Sequence, residues 1–246
     1  MTLMDFFGCA FLAFGLPLAM FTFTIASNPY RIIILIASAF FWLISLLLSS
    51  ILWYAVVPLQ NYLAFGLVFS VLFQESFRYL LYCVMRKVEI CNIPPDRLAA
   101  AERAVNHVVD GRLEYSYVCG LGFGLMSGAF ALVNVLADAV GPGTMGLRQG
   151  TEYFFMISAA ITLCFILLNT FWGVIFFTAL DCRNWGQVIW VVSSHLLVSC
   201  MTLLNRYQAY AASILSAYIV LVITIVIAFR LANGRMQNLI CCFRRK

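Results

Sequence analysis

The residues best able to do chemistry in this chain stand where polar groups are costly. The stretch FSVLFQESFRYLLY (69–82) carries Gln74, Glu75 and Arg78 inside an apolar run, and VVSSHLLVSC (191–200) carries His195 inside another. A lone charge at the centre of a bilayer costs on the order of 3 kcal/mol or more, so such groups turn to a helix-bundle interior or a water-filled cavity and find partners. Glu75 and Arg78 are three residues apart, share a helical face and form the obvious pair. Arg78 also stands near enough to the end of its run to snorkel outward. His195 could meet Asn169, Asn134 or Glu75 across helices. The expectation is one hydrogen-bonded cluster of Glu75, Arg78, Asn169 and His195 that positions three helices.

Catalytic readings fit these residues poorly. An intramembrane aspartyl protease needs two facing carboxylates that share a proton; Asp5, Asp138 and Asp181 all fall at the ends of apolar runs, and GLGFG has Phe123 where a GxGD motif has its aspartate. A metal protease needs HExxH, which is absent, and the only other histidine, His107, lies in a polar connection, so no metal site or cofactor is expected. A serine mechanism could use Ser127 with His195, but GLMSG is not the GxSG of intramembrane serine proteases, and Ser127 also reads as a small packing residue. A transporter or channel lined by Glu75, Arg78 and His195 is the other class. Against it, the two halves of the chain show no internal repeat and no matching broken helices.

Residues 119–130 read CGLGFGLMSGAF. Gly120, Gly124 and Gly128 are spaced by four and stack on one helical face, with Gly122 on another. Lipid offers no hydrophobic force between helices, so missing side chains serve close backbone approach and its dispersion contacts. The three glycines therefore mark a docking face, whose mate is either another helix of this chain or a partner subunit.

The elements that must hold these groups follow from composition. Apolar residues make up 64% of the chain and charged residues 10%, too greasy for an aqueous surface, and nucleic-acid binding is not expected. Runs long enough to span hydrocarbon fall near 6–26, 32–57, 62–85, 115–137, 153–180, 185–204 and 211–231, which predicts an all-α bundle of seven transmembrane helices in one domain, 1–246. The turns SNPYR (27–31) and PLQN (58–61) are short, 86–114 is a long connection read as a cytosolic loop, and 232–246 is a short cytosolic tail. Arg31, Arg86, Lys87, Arg97, Arg103, Arg112, Arg183 and the basic residues from Arg230 onward fall on one side; Arg148 and Arg206 fall on the other. That asymmetry predicts an exoplasmic N-terminus and a cytosolic C-terminus. The start of the chain has Asp5 and no basic n-region, so no removable signal peptide is expected. None of the nine cysteines forms a CxxC pair. Cys9, Cys119, Cys164 and Cys200 read as apolar packing residues, and Cys241 and Cys242, beside Arg244, Arg245 and Lys246, are candidate palmitoylation sites.

The stretches FFGCAFLAFG (6–15), RIIILIASAFFWLISLLLSS (31–50), QESFRY (74–79), GLGFGLMSG (120–128), NVLADAVGPG (134–143), NTFWGVIFF (169–177) and SHLLVS (194–199) together resemble, from end to end, the anterior-pharynx-defective family, the scaffold subunit of gamma-secretase. The resemblance implies a non-catalytic seven-helix subunit that stabilises presenilin and nicastrin, with the presenilin enhancer subunit completing an intramembrane aspartyl protease that cleaves type I membrane proteins such as Notch and amyloid precursor protein. It implies residence in the endoplasmic reticulum, Golgi and plasma membrane, with membrane lipids around the chain. Gly120, Gly124 and Gly128 fall on the family's GxxxG assembly motif, whose implied mate is another subunit. Gln74, Glu75, Arg78 and His195 fall on the family's hydrophilic pocket. Asn169 stands where the family usually has a second membrane histidine; asparagine can still bridge to His195 by hydrogen bonds, but it carries no charge.

Overall fold

In a computed structural model of the chain, residues 3–56, 63–91, 101–140, 154–207 and 210–232 are described. They form α1 (Leu3–Thr24), α2 (Pro29–Ala55), α3 (Leu63–Cys91), α4 (Ala101–Val140), α5 (Phe154–Asp181), α6 (Trp185–Thr202) and α7 (Tyr210–Leu231), with a 3-10 turn, Leu203–Tyr207, after α6. All seven helices are long and apolar enough to cross a membrane, as the apolar runs predict. This is a multi-pass membrane protein.

The helices run further than those runs. α3 continues to Cys91 and α4 begins at Ala101, so the connection expected over 86–114 is helical at both ends. Its composition explains this: MRKVEIC and AERAVNHVVD contain no proline and many good helix formers, while Pro94 and Pro95 fall between them. Cys241 and Cys242, and all of the expected tail but residue 232, lie outside the described residues, as do the side chains of Asn134 and His107.

Local sequence sets the two tight turns. Asn28 caps α2 by accepting from the Tyr30 N–H at 3.0 Å, with Pro29 in the first turn, where its missing donor costs nothing. Between α5 and α6, the Asn184 N–H reaches back to the Ala179 carbonyl (2.8 Å) and the Arg183 N–H to that of Leu180 (3.3 Å), the double closure of a Schellman motif. Its left-handed position is Arg183, at φ 53°, where glycine would be unstrained.

α5 is the central post. It packs against α1, α4, α6 and α7; α4 also packs on α2 and α1, and α3 bridges α2 and α6. Trp172, Phe177, Ile175, Leu168 and Ile166 of α5 are buried together with Phe123 and Leu121 of α4. Large apolar side chains such as Phe11, Phe23, Ile33 and Leu215 face outward, the inversion expected when the solvent is hydrocarbon.

Candidate functional site

The glycines of α4 decide how closely it lies on α5. A Cβ on Gly120 would stand 2.5 Å from the Thr170 carbonyl oxygen, and one on Gly124 2.5 Å from that of Ile166; at Gly128 the obstacle is the Ile166 side chain. The glycine face is thus filled by α5 of the same chain. The expectation that its mate is another subunit is corrected: Asn169, Thr170 and Gly173 lie opposite it and leave no room for a further helix. Gly173 completes the crossing, since a Cβ there would meet the Gly120 Cα at 2.7 Å. On the other side of α4, Gly122 rests on Leu35 and Ser38 of α2. α4 is clasped between two neighbours because it is smooth on two faces.

This clasp sets the walls of a polar cluster at mid-span. His195 Nδ1 meets Glu75 Oε1 at 2.6 Å, Arg78 Nη2 stands 3.5 Å from the same oxygen, and Arg78 Nη2 donates to Asn169 Oδ1 at 2.7 Å. Asn169 donates in turn to the Phe165 carbonyl at 3.0 Å and to Ser127 Oγ at 3.3 Å. Glu75, Arg78, Asn169 and His195 are all at most 5% exposed. Helices α3, α4, α5 and α6 are therefore tied by one continuous set of contacts. A carboxylate only accepts, so His195 Nδ1 is the donor in its contact with an ionised Glu75.

Aromatic faces complete the cluster. Trp172 stacks on His195 with ring centroids 4.6 Å apart, and the Arg78 guanidinium sits over Phe123 at 5.2 Å. Such a cation–aromatic contact is worth most when desolvated. Among the described residues, Glu75 Oε2, Arg78 Nε and Nη1, and Trp172 Nε1 are buried without hydrogen-bond partners. A buried ion pair so incompletely satisfied adds little stability over an apolar equivalent.

Four expectations are adjusted by this geometry. Asn169 does not bridge to His195; Arg78 stands between them because its long side chain reaches across from α3. Gln74 turns away from the cluster, accepting from Trp42 Nε1 and donating to Ser70 Oγ, each at 3.2 Å. Ser127 donates to the Gly124 carbonyl of its own helix at 2.9 Å, and His195 is engaged by Glu75 and Trp172, so the two do not form a nucleophile–base pair. Arg78 does not snorkel: it is 2% exposed.

A second tie lies at the helix ends. Arg86 grips both carboxylate oxygens of Asp181, Tyr82 donates to Asp181 Oδ1 at 2.8 Å, and the Arg86 guanidinium stacks on the Tyr82 ring. Arg78, Tyr82 and Arg86 recur every four residues, so one face of α3 reaches α5 through long side chains alone. At the same end Arg31 pairs with Glu114 and donates to the Thr24 carbonyl, joining α1, α2 and α4.

A family model described as Aph-1 protein matches residues 4–235. The chain belongs to the Aph-1 family. It is 57% identical to the gamma-secretase subunit Aph-1 of Drosophila melanogaster over 97% of each chain. It is 44% identical to gamma-secretase subunit Aph-1b of Danio rerio, covering all of this chain and 95% of that one, and 43% identical to gamma-secretase subunit APH-1B of Homo sapiens, covering 98% and 94%. In this Aph-1 chain, sequence reasoning missed Gly173, Trp172, Phe123 and the Arg86–Asp181 tie. Gly173 and the four-residue spacing of Arg78, Tyr82 and Arg86 were visible signals; the aromatic partners carried none, because one aromatic among many on an apolar helix is not distinctive.

Proposed function

We propose that this chain is the scaffold subunit of a gamma-secretase, assembling with presenilin, nicastrin and the presenilin enhancer subunit and contributing no catalytic group. The observation that carries the reading is similarity over nearly the whole length to chains named gamma-secretase subunits, which makes a hetero-oligomer the working state. A scaffold needs a fold that stands without its partners. The α4–α5 glycine crossing and the cluster on Arg78 supply one, because both are closed within the chain. Its outward faces are left to partner helices and lipid. The complex cleaves type I membrane proteins such as Notch and amyloid precursor protein, and the chain resides with it in the endoplasmic reticulum, Golgi and plasma membrane.

The test separates assembly from chemistry. Cells lacking the chain are supplied with wild type, Glu75→Gln, Ser127→Ala or His195→Asn, and substrate cleavage is divided by the amount of assembled complex. A scaffold predicts variants that change complex yield while cleavage per complex stays constant. Full assembly with abolished cleavage in any one of them would refute the non-catalytic reading.

A further inference from the structure

Beside the tie between Arg86 and Asp181 stand two cations that no described residue neutralises. Lys87 follows Arg86 at the end of α3, and Arg183 follows Asp181 by two residues in the α5–α6 turn. Because Arg86 and Asp181 touch, the end of α3 that carries Lys87 and the α5–α6 turn that carries Arg183 lie next to each other. Both Lys87 and Arg183 are exposed, and among the described residues neither side chain has an ion-pair or hydrogen-bond partner. The membrane-spanning stretches end at Val88 and Asp181 and resume at Trp185, so the patch meets the bilayer at headgroup depth. Trp185, 66% exposed, stands beside it, the residue type that settles at that level.

Arg183 adds an independent signal. It holds the left-handed position of the turn at φ 53°, a conformation that glycine adopts without strain and arginine does not. Backbone strain kept at an exposed position points to a use for the side chain. Its guanidinium presents paired donors suited to a phosphate, and the Lys87 ammonium adds a point charge beside it.

We propose that this patch binds the headgroup of an anionic glycerophospholipid, with Arg183 contacting its phosphate and Lys87 supplying the second charge. Arg86 is excluded from the contact because Asp181 neutralises it. The site lies at the end that charge asymmetry assigns to the cytosolic leaflet, where anionic lipids concentrate. It leaves the mid-span cluster untouched.

The test uses the full chain, purified with its co-assembling subunits, in phosphatidylcholine nanodiscs doped with photoactivatable phosphatidylserine or photoactivatable phosphatidylcholine. Labelled peptides of this chain are then mapped. Phosphatidylserine label should concentrate on the segments around Lys87 and Arg183, and the preference over phosphatidylcholine should fall about fivefold for each of Lys87→Gln and Arg183→Asn, the value of one basic residue near an anionic surface. Arg183→Gly keeps the turn unstrained and should lose the preference as well. Arg230→Gln removes a cation from the last turn of α7 and should leave the preference unchanged, and inorganic phosphate should not compete. Equal labelling by the two probes, competition by free phosphate, an equal loss at Arg230, or an unchanged preference in Arg183→Gly would each overturn the proposal.

Discussion

Replacing Gly124 by alanine tests the packing account with the smallest possible change. The added Cβ would stand 2.5 Å from the Ile166 carbonyl oxygen and 3.2 Å from the Ile166 carbonyl carbon and Cα. Backbone cannot rotate aside, so α4 and α5 must part by nearly an ångström at the crossing. A gap of that size forfeits about a quarter to a half of each dispersion contact along the seam, and overpacking of this kind typically costs about 1–3 kcal/mol. Alanine gains about 1 kcal/mol over glycine in helix propensity measured in water, a gain that shrinks where lipid already enforces the helix. The net expectation is a loss of about 1–2 kcal/mol. Gly120→Ala should match it, because its obstacle is also backbone. Gly128→Ala meets side chain rather than backbone, Ile166 Cδ1 and Cγ1 at 2.5 and 2.6 Å and Thr162 Cγ2 at 3.2 Å, so it should cost less than Gly124→Ala, about 1 kcal/mol or less. Gly15→Ala on α1 meets nothing within 4 Å and should be neutral or stabilising. The assay is thermal unfolding in mild detergent, read as the monodisperse fraction on gel filtration, with each kcal/mol worth roughly 2–4 °C for a chain of this size. A Gly124→Ala protein that melts with wild type, or a Gly128→Ala protein that falls as far, would refute the reasoning.

Further expectations follow from the ties between helices. Arg78→Met should destabilise the chain by about 3–5 kcal/mol, by leaving the Glu75 carboxylate buried without its guanidinium partner, and adding Glu75→Leu should restore most of the loss; failure of the double variant to recover in the same assay would mean the pair is not mutually dependent. Asn169→His enlarges a side chain in an enclosed site, Asn169 being 1% exposed, so a loss of about 1–3 kcal/mol is expected, and a more stable variant would show that the space exists. Arg183→Gly should raise stability by about 1 kcal/mol through relief of the left-handed strain. Asp181→Asn should lower it by about 1 kcal/mol or less, since the tie to Arg86 is partly exposed.

How much of this was legible in the sequence differs by element. The seven helices were, because spanning hydrocarbon demands long apolar runs and nothing else in the chain supplies them. The glycine register of α4 was also legible as a docking face. Its mate was not: Gly120, Gly124 and Gly128 say that a backbone comes close, and only three-dimensional placement brings Thr170 and Ile166 there rather than another subunit. In the polar cluster, cost confines charged groups to the interior, so Glu75, Arg78 and His195 stood out. Arg78 reaching past His195 to Asn169 did not, because side-chain reach depends on a helix separation that sequence spacing leaves open. The Arg86–Asp181 tie stayed hidden for a related reason. Charges at span ends are common and usually solvated, and nothing in either residue's neighbours announces the other.

As a scaffold, the chain must form its own α4–α5 crossing before partners can dock. The measurement that tests it most directly is co-purification of presenilin and nicastrin with the tagged chain in mild detergent, comparing wild type, Gly124→Leu and Gly15→Leu, with the fold of each chain checked by gel filtration. Wild type and Gly15→Leu should bring both partners down, while Gly124→Leu should lose its own monodisperse fold and its partners together. A wild-type chain that purifies alone, or a Gly124→Leu chain that stays folded and fully assembled, would contradict it.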